Sequence, residues 1–142
     1  MNSHGKSLDE KWLNKKSSGL SENKNVGIIG CGNFAFSHIS FYISMIQKNC
    51  IRAAYDPVGD RSISFVKNCN AIYASSTAEE LISDPKIKKI YIASNHSSHA
   101  EYAIKAIESQ KAVHIEKPHV INKDQLERLI SAYKKNPNSK VY

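Results

Sequence analysis

The chain of 142 residues is long enough for one domain with a sizeable core and too short for two full ones. Its composition, 41% hydrophobic and 23% charged, is that of a soluble globular protein, and no apolar run approaches the length that spans a bilayer. The net charge of +7 comes from lysines scattered along the chain with no interleaved aromatics, which describes a solvated basic face and argues against a nucleic-acid surface.

Residues 1–24 form a polar leader rich in Ser, Asn and Lys, with Leu8, Trp12, Leu13 and Leu20 as its apolar anchors. Leu8 and Trp12 could share one face of a short docking helix, but the composition reads as a flexible leader. Its first residues lack the apolar core of a secretory signal. Cys31, Cys50 and Cys69 are odd in number and lack metal-ligand spacing, which together with the missing signal places the chain in a reduced, cytoplasmic setting.

Residues 25–142 read as one α/β domain. Val26–Ile29 is a first strand and runs into Gly30-Cys31-Gly32-Asn33-Phe34-Ala35, which opens a helix reaching about Gln47. Strand, glycine turn, helix is the order a dinucleotide phosphate site needs. The turn lets the backbone approach a pyrophosphate, and the helix start presents free N–H groups to it. Ala35 stands in the third glycine position, where only close helix–strand packing is required. A second strand, Ile51–Tyr55, ends in Asp56-Pro57, a little over twenty residues beyond the glycines, where a carboxylate can accept from the adenosine ribose hydroxyls. An acid there repels a 2′-phosphate, so NAD is favoured over NADP, while the nearby Arg61 pulls the other way.

Arg61 to Asn68 reads as a helix, Ala71 to Tyr73 as a short strand, and Thr77 to Ile82 as a helix with Thr77 and Glu80 as its capping box. Lys89 to Ala93 is a buried strand that meets the polar turn Ser94-Asn95-His96-Ser97-Ser98-His99, and a helix follows from about Ser98 to Ser109. Ala112 to Ile115 is the next strand, closing on Glu116-Lys117-Pro118-His119. A last amphipathic helix, Lys123 to Lys134, places Leu126, Leu129, Ile130 and Tyr133 inward, and Lys140-Val141-Tyr142 opens one more strand. Strands alternating with helices predict a doubly wound parallel sheet, Rossmann-like, covered on both faces, with ligands at the C-terminal strand ends. The glycines, Asp56, Ser94-Asn95 and Glu116-Lys117 all fall at those ends. His114 alternates within a strand and is read as structural, and Cys31 as a small neutral filler beside the glycine turn.

Four motifs in this order resemble the N-terminal domain of the Gfo/Idh/MocA oxidoreductases, the glucose–fructose oxidoreductase and inositol dehydrogenase family. They are Gly30-Cys31-Gly32, Asp56-Pro57, Ile92 through Glu101, and Lys111-Ala112-Val113-His114-Ile115-Glu116-Lys117-Pro118. The resemblance implies a nicotinamide-dependent oxidation or reduction of a sugar, cyclitol or sugar nucleotide. By position, Gly30, Gly32, Asn33 and Phe34 would line the pyrophosphate and Asp56 the adenosine ribose. Ser94, Asn95 and His99 would flank the nicotinamide side, and Glu116 would contact its ribose. Lys117 would reach the substrate hydroxyl as the catalytic residue, since a neighbouring nicotinamide cation favours the neutral, proton-accepting amine.

Asn95 departs from the family pattern, which has proline there. The family's second domain, which supplies the substrate pocket and typically a catalytic histidine, would begin where this chain stops. The expectation is therefore that these residues alone turn over no substrate, and that any homo-oligomer of the full-length protein forms through the missing sheet. A stand-alone nucleotide-binding module leaves Glu116-Lys117-Pro118 without a purpose, and a Rossmann-like methyltransferase leaves the same turn unexplained.

Overall fold

A computed structural model describes residues 23–142. The reading of the leader up to residue 22 lies outside the described residues. Five strands form one parallel sheet: β1 (Val26–Ile29), β2 (Ile51–Tyr55), β3 (Tyr73–Ala74), β4 (Lys89–Ile92) and β5 (Ala112–Ile115). Their spatial order is β3-β2-β1-β4-β5, so the chain reverses direction across the sheet between β1 and β4. In an open parallel sheet that reversal leaves a crevice at the C-terminal strand ends.

The helices lie on both faces. On one, a π-helical turn (Ala35–Ile39) leads into α1 (Ser40–Ile46), and α2 (Gly59–Asn68) follows β2. Val26, Ile28, Ile39, Ile51, Phe65 and Val66 pack together there. On the other face lie α3 (Ala78–Ser83), α4 (His99–Glu108), preceded by a 3-10 turn (His96–Ser98), and α5 (Lys123–Lys135). Ile29, Leu81, Ile90, Ile92, Ile107 and Val113 make the core of that side.

The covering is uneven. β1 is buried along its whole length, whereas β4 and β5 alternate buried with half-buried residues. On the half-buried side of β4 and β5 the side chains partner one another. The rings of Tyr91 and His114 stack at 4.9 Å, and the Lys89 ammonium sits 4.8 Å above both the Tyr91 and the Tyr142 rings. Lys89 to Ala93 was expected as a buried strand, and it is buried on one face.

Three further expectations are corrected. The first helix is not α-helical throughout: Ser37, Ser40 and Ser44 turn their hydroxyls back onto the carbonyls of Asn33, Phe36 and Phe41, and the backbone widens to a π turn over Ala35–Ile39. Serine hydroxyls that compete for helix carbonyls distort the regular ladder. The third strand comprises Tyr73–Ala74, starting two residues and ending one residue later than the expected Ala71 to Tyr73. In α5, Gln125, Leu129 and Ala132 face inward, while Leu126, Ile130 and Tyr133 remain 43%, 43% and 49% exposed.

The helix caps follow local chemistry. Thr77 accepts from the Glu80 N–H, as expected of the box, but the Glu80 carboxylate accepts from the Ser76 N–H instead of closing on Thr77. Val141 bridges Val113 in parallel, which gives the anticipated sixth strand a single rung. No helix among the described residues is long and apolar enough to cross a membrane.

Candidate functional site at the C-terminal strand edge

The strand ends are brought level by backbone hydrogen bonds that run one residue past the strands. The Gly30 N–H donates to the Tyr55 carbonyl, Ala93 N–H to Ile29, and Glu116 N–H to Ile92, at 2.8, 2.8 and 2.9 Å. As a result the glycine turn, Asp56, the Ser94 turn and the Glu116 turn share one edge of the sheet.

Gly30 stands at the seam. Its φ is +93°, a conformation side chains rarely adopt, and a Cβ there would lie 2.5 Å from the carbonyl carbon of Ala93 and the nitrogen of Ser94. Glycine is therefore required to let β1 and β4 end against each other. Gly32 is different: among the described residues a Cβ would meet nothing within 4 Å beyond its chain neighbours, so their packing gives no reason for glycine at that position.

Asp56 is buried, and its carboxylate is already engaged. One oxygen accepts from the Cys31 N–H at 2.8 Å and the other from the Val58 N–H at 2.8 Å. A carboxylate has about four acceptor positions, so ribose hydroxyls can still be bound, but the first task of Asp56 here is to hold the glycine turn against the end of β2. Cys31 donates its thiol to the Tyr55 carbonyl at 3.5 Å, and burial, with the Asp56 charge adding to it, pushes the thiol far above its usual range. It is a neutral filler, not a nucleophile.

Two open clefts lie near the end of β2, the first of them lined by Asp56. One, of about 220 Å³, lies between Tyr55, Pro57, Ile63 and Ser75. The other, of about 400 Å³, runs between the glycine turn at Gly32 and Asn33 and the α2 residues Asp60, Arg61 and Ser64. Arg61 thus sits beside the turn, as its sequence position suggested. Asn33 and Phe34 are exposed at the start of the helix, with the Phe34 ring stacked on His38 at 4.7 Å.

On the far side of the seam, Ser94 and Ser98 share a hydroxyl–hydroxyl bond of 2.7 Å, and the Asn95 side chain accepts from the Ser98 N–H. Asparagine, standing where the family pattern has proline, therefore acts as the N-cap of the 3-10 turn His96–Ser98. His99 is not presented to the crevice. It is 1% exposed, with Nδ1 2.9 Å from the Pro118 carbonyl and Nε2 2.9 Å from the Ser94 carbonyl. Glu116 is half-buried and lies 3.7 Å from His114, whose imidazole is held below its usual range by burial despite the raising effect of Glu116. Lys117 and His119 are exposed, and the Lys117–Pro118 peptide is cis.

Gln125 belongs to this region and was missed. Its amide donates to the Ser97 carbonyl at 2.9 Å and accepts from the Ile121 N–H at 3.0 Å. The sequence held a signal: Asn122 three residues ahead accepts from the Gln125 N–H, the spacing of a capping box.

Comparison with known proteins agrees with this geometry. A family model described as "Oxidoreductase family, NAD-binding Rossmann fold" matches residues 24–141. The chain is 37% identical over 119 residues to Oxidoreductase P35 of Formosa agariphila, covering 82% of this chain and 36% of that protein. Among solved structures, the myo-inositol dehydrogenase of Lactobacillus casei in complex with NAD(H) and myo-inositol superposes with a TM-score of 0.72 at 18% identity, over 83% of this chain and 35% of that one. A 3-ketoreductase of Actinomadura kijaniata in complex with NADP and TDP-benzene gives 0.71 at 22% identity, over 79% and 34%. At those identities the two structures establish the fold. The chain spans about a third of the length of the curated relatives it matches.

Proposed function

Since the chain belongs to the Gfo/Idh/MocA oxidoreductase family and forms its NAD(P)-binding Rossmann domain, we propose that it holds the dinucleotide across the strand edge described above, with NAD preferred to NADP. The observation that carries this reading is the convergence of the glycine turn, Asp56 and the Ser94 and Glu116 turns on the β1/β4 reversal, with free space over Gly32. The pyrophosphate would lie over Gly30, Gly32, Asn33 and Phe34, and the adenosine ribose against Asp56. Ser94, Asn95 and Glu116 would meet the nicotinamide half.

When bound, the cofactor supplies the hydride chemistry, and the residues of the chain bind, orient and move a proton. Lys117, exposed at the end of β5, would take the proton from the hydroxyl of a sugar, cyclitol or sugar nucleotide, or return it in the reverse direction. The chain spans about a third of its relatives' length, so a substrate pocket and groups that would assist Lys117 are proposed only of a whole protein of that length. The names of the relatives, inositol dehydrogenases among them, support the substrate class. Asp56 supports the NAD preference by charge, and Arg61 in the adjoining cleft opposes it.

Calorimetric titration of the chain with NAD and NADP tests this reading. Saturable binding with NAD the tighter ligand is expected, and Asp56→Ala should erase the preference while weakening both, because the glycine turn loses its anchor at Cys31. Absence of binding by either nucleotide would sink the cofactor assignment.

A further inference from the structure

We propose that His99 is a positioning residue: it fastens the turn after β4 to the turn after β5, and so fixes the nicotinamide-side contacts and Lys117 relative to each other. The inference rests on the cofactor reading above and adds to it a residue that does not touch the ligand. His99 begins α4, is 1% exposed, and places one ring nitrogen on each turn, at 2.9 Å from the Ser94 carbonyl and 2.9 Å from the Pro118 carbonyl. With both polar ends of the ring occupied by backbone, nothing remains to offer a cofactor.

Among the described residues, two further hydrogen-bonded ties join these segments. Beyond the Glu116 N–H bond to Ile92, the Gln125 amide is the second polar tie, joining Ser97 to the backbone at Ile121 farther along the same loop. Histidine suits the task because its two nitrogens lie on opposite edges of a small rigid ring. A neutral ring donates to one of the two carbonyls and meets the other through its second nitrogen. His96 packs edge-on against it, with the ring centroids 5.7 Å apart. The adenosine side is held by a different set of hydrogen bonds, from the Cys31 and Val58 N–H groups to Asp56.

That separation supplies the test. NADH and ADP-ribose share the adenosine and pyrophosphate groups, but only NADH has the nicotinamide. With His99→Ala, NADH affinity should fall on the order of tenfold, the size of one lost hydrogen-bonded tie. ADP-ribose affinity should stay within about twofold, since it draws on the other anchor. His99→Gln, which keeps a single donor, should fall between wild type and His99→Ala for NADH. Retained ADP-ribose binding also shows that a variant has folded. If His99→Ala does not fold, His99→Gln is read by the same pair of ligands, and imidazole N–H protons slow to exchange are expected in the wild-type NMR spectrum.

Equal losses for both ligands, an unchanged NADH affinity, or ring protons that exchange at the solvent rate would overturn the proposal. A wild-type chain that binds neither nucleotide would overturn the cofactor reading itself, and this inference with it.

Discussion

The two halves of the sheet are built differently. Around β1 and β2 both faces are covered, and the strands read Val-Gly-Ile-Ile and Ile-Arg-Ala-Ala-Tyr, with nearly every residue buried. Around β4 and β5 one face is packed under α4 and α5, while on the other the half-buried Lys89, Tyr91 and His114 stack on one another, with Tyr91 also touching the edge of the cluster around Val26 and Ile28. A parallel strand covered twice has no outlet for a polar side chain, so Arg52 needs a buried partner and finds Asp84 at 2.7 Å. A strand covered once can alternate. The crevice sits at the seam of the two halves, where Gly30 meets Ala93 and Ser94.

Several substitutions sharpen or break this contrast. Phe65, fully buried on the doubly covered side, should cost the most: Phe65→Ala is expected to lower unfolding stability by about 3–5 kcal/mol in a urea melt. Asp84→Ala removes a carboxylate that accepts from both Arg52 and the Tyr73 hydroxyl, and a loss of about 3 kcal/mol is expected. At the seam, Gly30→Ala forces a positive φ and a 2.5 Å contact with backbone, so at least about 2 kcal/mol should be lost, together with nucleotide binding measured by titration. On the singly covered side, Tyr91→Ala should cost about 1 kcal/mol, since it removes a half-exposed stack and a cation–π contact. A loss for Tyr91→Ala as large as that for Phe65→Ala would mean that the two halves do not differ as described.

The smallest effect is one of pH. Burial, the largest single influence, would raise the Asp84 carboxyl, but the hydrogen bonds from Arg52, the Lys86 N–H and the Tyr73 hydroxyl, with the Arg52 charge, together outweigh it and hold the group below its ordinary value. Burial likewise lowers His114. Both groups are depressed on folding, so the unfolded chain binds more protons, and stability is present above the unfolded values and lost as pH falls through the folded ones. His114, on the open face, should act first, below about pH 6.5, and Asp84 only below about pH 4. His114→Gln should flatten the stability profile between pH 7 and 5 without altering the steeper acid loss. An unchanged slope in that window would remove His114 from the account.

Much of the site was legible because it depends on local chemistry. The Gly30-Cys31-Gly32 turn follows from two glycines placed directly after a short apolar strand and before residues at helical spacing. Asp56 was placed by its distance from the glycines, and Thr77 by its capping spacing. What escaped was orientation. The apolar stripe of α5 pointed to Leu126, Ile130 and Tyr133, yet the helix turns about one residue so that Gln125 can satisfy the Ser97 carbonyl and the Ile121 N–H. Hydrophobic periodicity cannot weigh a buried amide against a half-buried leucine, because the backbone groups needing partners come from segments distant in sequence.

By itself the sequence determined the alternation of strands and helices, the glycine turn and the family, since periodicity, turn residues and short motifs are local properties. Only the tertiary structure decided that Asp56 anchors Cys31, that His99 joins two turns and is withheld from the crevice, and that β4 and β5 are covered once. Each of those depends on which carbonyl or N–H lies within about 3 Å after distant segments have packed, and no local pattern encodes that distance.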